Sequence, residues 1–158
     1  MEIELVELKQ SPKSFFQLLP EDWKDVIVPY WDNYRGSAKI YTLTSENKIL
    51  GGGIVFSSVS PDTEIYYFEA QNMLNQGYLY LGFLWVNEKY RSKGLGSKWL
   101  IELFKKNPLQ KYWLSIEDFG LSSFYIKNGF KILKQLDVNG STEWIMIYEP
   151  STTPQKEI

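Results

Sequence analysis

The chain has 158 residues, with 17 Lys and Arg against 19 Asp and Glu, so one domain is expected and a basic nucleic-acid-binding face is not. Hydrophobic residues make up 44% and charged residues 23%, which excludes a disordered chain, and the lack of cysteine excludes a disulfide scaffold. Histidine is also absent, which removes the commonest general base and metal ligand, so no metal site is expected.

The opening MEIELVELKQ is acidic and strand-like, without the basic and then apolar order of a signal peptide. No apolar run reaches the ~20 residues of a membrane helix, so a cytoplasmic protein with no membrane partner is expected. Ser11-Pro12 starts a short helix with Phe15, Phe16 and Leu19 on one face, and Pro20 stops it. A second helix is expected over 22–34, bent at Pro29 and ended by Gly36. Residues 38–44 and 49–57 read as an antiparallel hairpin about a turn at 46–48. Gly51, Gly52 and Gly53 inside its second strand predict a bulge or the close approach of another group.

Residues 64–76 have nearly helical apolar spacing, with Gly77 as a C-terminal cap. The run YLYLGFLWV, 78–86, suits a strand buried on both faces. A helix is expected over 97–106, a strand over 111–117 and a short helix over 122–127. Strands at 130–136 and 143–148 close on Asn139-Gly140, a strong hairpin signal. Residues 150–158 read as a polar, disordered tail after one domain over 1–149. This order implies an α+β fold, a mixed sheet flanked by helices.

Chemistry concentrates in Val86 to Ser97, where a buried strand passes through a glycine-containing turn into an amphipathic helix. The first N–H groups of a helix have no internal partners, and the helix dipole is positive there, so such a turn suits a phosphate. Gly94 and Gly96 allow positive φ and close approach of a pyrophosphate, while Arg91, Lys93 and Lys98 add positive charge. Trp99 stands where the dinucleotide fingerprint needs a small residue, and the Gly-Lys-Ser/Thr of a P-loop is absent. An ordinary glycine-containing loop is the alternative.

The wider pattern is more specific. R-x-x-G-x-G in LWVNEKYRSKGLGSKWL, followed about thirty residues later by SSFYIKNGFKIL, resembles the GNAT superfamily of acyl-CoA N-acyltransferases across roughly residues 78–133. The resemblance implies a central mixed sheet with two splayed parallel strands, and acetyl-CoA as cofactor. It implies that Leu84, Trp85 and Val86 pair with the pantetheine arm. The pyrophosphate would sit on the backbone of Arg91, Ser92, Lys93, Gly94, Leu95, Gly96 and Ser97. The Val86 N–H would stabilise the oxyanion formed when an amine attacks the thioester. Tyr125 would face the sulfur and protonate the leaving thiolate as general acid.

The family often has an Asn that touches the cofactor seven residues before that tyrosine, and Asp118 stands there instead, so at this cofactor contact it can accept but not donate hydrogen bonds. Some relatives carry a base on the preceding strand where this chain has Trp113. Glu69, Glu117 and Asp118 are the candidate bases, with water-mediated transfer or no dedicated base as alternatives. The acceptor is expected to be a small-molecule amine or the amine of a peptide or protein. It would be held by a region containing Trp23, Tyr30, Trp31, Tyr34, Tyr66, Tyr67, Phe68 and Glu69, although core packing accounts for those aromatics equally well. A non-catalytic acyl-CoA-binding or interaction module of the same fold is the rival reading, and a homodimer is left open.

Overall fold

The computed structural model describes residues 2–151, so Met1 and most of the polar tail expected over 150–158 lie outside the described residues. Seven strands form one sheet: β1 Glu4–Leu8, β2 Ala38–Ser45, β3 Lys48–Phe56, β4 Tyr78–Val86, β5 Lys111–Ile116, β6 Phe130–Val138 and β7 Ser141–Tyr148. Their order is β1-β2-β3-β4-β5-β7-β6, and every neighbouring pair is antiparallel except β4 with β5. The expected mixed sheet is present.

The helices are α1 Lys13–Phe16, α2 Glu21–Ile27, α3 Trp31–Tyr34, α4 Tyr67–Asn75, α5 Leu95–Lys106 and α6 Ser122–Lys127. The helix expected over 22–34 is broken at Pro29 by a 3-10 turn, Val28–Tyr30, because proline has no N–H to continue the ladder. The segment expected as a helix over 64–76 is a 3-10 turn, Pro61–Tyr66, leading into α4. Here the Ser60 carbonyl takes the Thr63 N–H at 3.1 Å and Thr63 is fully buried, which holds the tighter turn. Gly77 ends α4 at φ +92°, and Asn139-Gly140 turns the last hairpin with both φ positive, as a type I′ turn requires.

The sheet has two covered faces, and strand alternation assigns side chains to them. One face carries α1 to α4. A Cβ at Gly52 would lie 2.9 Å from the Phe15 ring, Phe56 packs on Tyr34, and Tyr66 packs on Trp113. The other face carries α5 and α6. A Cβ at Gly53 would lie 2.8 Å from Trp99, and Phe104 stacks on Tyr148 at 3.8 Å between centroids. The three glycines of β3 therefore serve both expected purposes, since the β2 and β4 registers on either side of them also shift.

β4 and β5 pair only from Tyr78 with Lys111 to Tyr80 with Trp113. Beyond that they diverge, as the resemblance implied. The cause is local: the β3–β4 register slips between Gly52 and Ile54, opposite Phe83, whose φ of +57° is that of a bulge. The bulge turns β4 away from β5 and opens the sheet.

Candidate active site

The gap between β4 and β5 is a cleft of about 1060 Å³ that passes from one face of the sheet to the other. Its walls are Gly82 to Val86 of β4, Leu114 to Asp118 at the end of β5, the loop from Tyr90 to Ser97, α6, Trp23 of α2, Asp62 and Glu143.

On the α5–α6 face, the loop is exposed from Arg91 to Gly94, and its N–H groups are free from Ser92 onward. Among the described residues no acceptor takes the N–H of Ser92 through Ser97, and Lys98 is the first to bond back, to Gly94 at 3.0 Å. Ser92 and Gly94 have φ of +64° and +75°, a conformation that turns successive N–H groups toward one side. α5 starts at Leu95, two residues earlier than expected, with Gly94 as its cap. Gly94 faces open space.

Gly96 has a different reason from the one expected. It does not adopt positive φ, and a Cβ there would meet the Phe124 ring at 2.9 Å. Asn128 Nδ2 also donates to Ser97 Oγ at 3.1 Å. The two sequence blocks are thus joined: the glycine of the first makes room for the aromatic of the second, and α6 is docked on the start of α5.

At the strand end, the Asn87 N–H bonds to Leu50 O of β3 at 2.9 Å. Alternation then turns the N–H and C=O of Val86 and Leu84 away from β3 and into the cleft. Arg91 Nε donates to Val86 O at 2.9 Å, and its guanidinium lies 4.3 Å from the centre of the Trp85 ring. Arg91 thus braces the strand end rather than reaching out over the loop. Lys93 is exposed, and Lys98 lies 4.0 Å from Glu102.

Tyr125 of α6 lines the cleft, packed edge-on against Phe124 and Phe130. Its hydroxyl has no hydrogen-bond partner among the described residues, and burial pushes its pKa up to about 12. Glu117 and Asp118 also line the cleft, and the Asp118 carboxylate accepts the Gly120 N–H at 2.8 Å. Glu69 does not line it: its carboxylate pairs with Lys134 of β6 at 2.7 Å. Of the aromatics proposed for the acceptor, Trp23 lines the cleft and packs on Phe83 and Trp85. Trp31 instead packs on Phe16, Tyr34 bonds to Glu64, and Tyr67 and Phe68 point outward.

Sequence reading missed a polar cluster on the α1–α4 face of the same cleft. Tyr80 donates to Asp62 Oδ2 at 2.5 Å, while Asp62 Oδ1 is buried without a hydrogen-bond partner. Tyr66 OH lies 2.6 Å from Ser115 Oγ and donates to Glu143 Oε1 at 3.3 Å. Burial pushes the Asp62 carboxyl above its ordinary range, against the pull of the Tyr80 and Ser60 hydroxyls. Glu143 is raised too, first by burial and then by Glu117 and Asp62. Alternation of β5 was the available signal: Trp113, Ser115 and Glu117 share one face.

Among the described residues the sheet is thus split between its one pair of parallel neighbours, with free N–H groups at one mouth and carboxylates at the other. The chain belongs to the acetyltransferase (GNAT) family, whose sequence profile matches residues 5–130. No curated protein matches it. Solved structures share the fold. The Bacillus subtilis acetyltransferase in complex with CoA is 14% identical, with a TM-score of 0.65 over 95% of this chain and 100% of its own. A GNAT family acetyltransferase from Elizabethkingia anophelis with acetyl-CoA bound is 16% identical, with a TM-score of 0.61 over 93% and 97%. The PaiA N-acetyltransferase from Thermoplasma acidophilum, in complex with coenzyme A, is 19% identical, with a TM-score of 0.59 over 94% and 99%. No helix among the described residues is long and apolar enough to cross a membrane.

Proposed function

We propose that this protein transfers the acetyl group of acetyl-CoA to a primary amine by direct attack in a ternary complex. The observation that carries the reading is the through-sheet cleft, with unpaired N–H groups on one face and carboxylates on the other. The chain fits the cofactor. The N–H groups of Ser92 to Ser97 would hold the pyrophosphate, and the cleft-facing backbone of Leu84 and Val86 would pair with the pantetheine amides.

Acetyl-CoA supplies a thioester carbonyl that an amine can attack. The Val86 N–H points into the cleft at the strand end and would donate to the carbonyl oxygen as negative charge develops there. Tyr125 keeps its proton at neutral pH, because burial holds its pKa near 12, and would hand it to the departing sulfur. The attacking amine must first be neutral. Glu117 and Asp118 both open on the cleft without an ion pair among the described residues, Asp118 with one oxygen already taken by the Gly120 N–H, while Glu69 is committed to Lys134. The sequence has no cysteine, so no thiol is at hand to carry the acetyl group, which supports direct transfer.

The test combines calorimetric titration of acetyl-CoA with turnover over a panel of amines. Saturable binding by the parent is expected, together with a Tyr125→Phe variant that still binds but loses roughly 10²–10⁴ in kcat. Binding without turnover of any amine would instead favour an acyl-CoA-binding module. Absence of binding at millimolar acetyl-CoA would overturn both.

A further inference from the structure

The cleft is chemically lopsided. Its cationic wall residues, Arg91 and Lys127, belong to the loop and to α6. On the opposite face Asp62, Glu117 and Glu143 face the cleft without an ion pair among the described residues. Two of these are held in place by hydroxyls, Asp62 by Tyr80 and Glu143 by Tyr66. Asp62 keeps Oδ1 buried and unpartnered in the cleft wall. A buried acceptor with no donor is costly unless something supplies one. The three carboxylates do not converge as a metal site would, since no acidic cluster among the described residues is arranged to hold a metal ion. Spaced anions beside the Tyr66 and Tyr80 hydroxyls suit an extended organic cation instead.

Resting on the amine-transfer reading above, we propose that the acceptor is a diamine or polyamine. One nitrogen would reach through the splay toward the acetyl group, and a second, still charged, would be held by Glu143 and Asp62. An acceptor with a carboxylate in place of the second ammonium meets like charge there and is rejected.

Three four-carbon probes isolate that second group: 1,4-diaminobutane, butylamine and 4-aminobutanoate. The expected order of kcat/KM is diamine, then monoamine, then amino acid, with at least tenfold between the first two. In Glu143→Gln and Asp62→Asn the diamine-to-monoamine ratio falls at least fivefold, carried by the KM for the diamine. A binding readout is independent of transfer: 1,4-diaminobutane titrated into CoA-saturated protein should bind, and bind more weakly in Glu143→Gln. Should Asp62→Asn fail to fold, Glu143→Gln, at a partly buried position, still reads the site. Equal turnover of the three probes leaves acetyl transfer standing and overturns the cationic subsite. Lack of diamine binding at 10 mM overturns it as well. Glu143-dependent diamine binding without transfer to any probe upholds the subsite and removes the transfer reading instead.

Discussion

Asp62 shows what a functional carboxylate costs a fold. Its charged form is desolvated, so the folded state binds its proton more tightly than the unfolded chain does. Stability from such a group is whole below the unfolded pKa, near 4, and is lost as pH rises through the folded value. At neutral pH the residue therefore works against folding. Asp62→Asn keeps an oxygen for Tyr80 and removes the charge, so its Tm should exceed that of the parent by about 2–4 °C at pH 7. That gain should shrink toward zero at about pH 3, below the unfolded pKa, where both states of the parent are largely protonated. Thermal melts at the two pH values check this, and a variant less stable than the parent at pH 7 would refute it. The same residue explains why half the site was hidden in the sequence. The glycine loop and Tyr125 lie in contiguous motifs, whereas Asp62, Tyr80, Ser115 and Glu143 come from four elements that only the sheet brings together. The pairing of Glu69 was hidden for the same reason, since its partner Lys134 is 65 residues away.

At the level of elements, the strands and the longer helices were legible because their apolar periods are uninterrupted. α5 reads cleanly, with Leu95, Trp99, Leu100 and Leu103 all buried on one side. The 3-10 turn before α4 was not legible, because it rests on a buried Ser60–Thr63 hydrogen bond rather than on periodicity. Nor was the β4 bulge, since Phe83 is an unusual residue at positive φ and nothing local announces it. The docking of α6 on α5 gives a prediction that separates two glycines often treated alike. Gly96→Ala places a methyl against Phe124, and the ring must move. A loss of about 1–3 kcal/mol in denaturant unfolding is expected, with lower kcat as Tyr125 shifts with its helix. Gly94→Ala meets no neighbour but keeps φ at +75°, so a loss of about 1 kcal/mol from backbone strain alone is expected. Equal losses in the two variants would contradict this assignment of the Gly96 contact.

Across the whole molecule the aromatic content, 6 Trp, 11 Tyr and 9 Phe, is spent largely on packing against the sheet, and this has an electrostatic consequence. Tyr34, Tyr41, Tyr66, Tyr78, Tyr80, Tyr112, Tyr125 and Tyr148 all have raised pKa values, in every case chiefly because burial disfavours the phenolate. An unfolded tyrosine releases its proton near pH 10. Above that pH the unfolded chain sheds protons that these eight positions retain in the fold, so alkali pulls the equilibrium toward unfolding. The effect is shared between the two faces of the sheet, with Tyr66 and Tyr80 against Trp113 on one and Tyr112 and Tyr148 against Phe104 of α5 on the other. It therefore acts on the cooperative unit rather than on one edge. Tm should be nearly flat from pH 8 to 9.5 and fall by more than 5 °C between pH 10 and 11. Phenolate absorbance should appear together with the loss of tertiary circular dichroism rather than before it. Titration of the eight hydroxyls within an intact fold near pH 10 would show that the aromatic layers admit water.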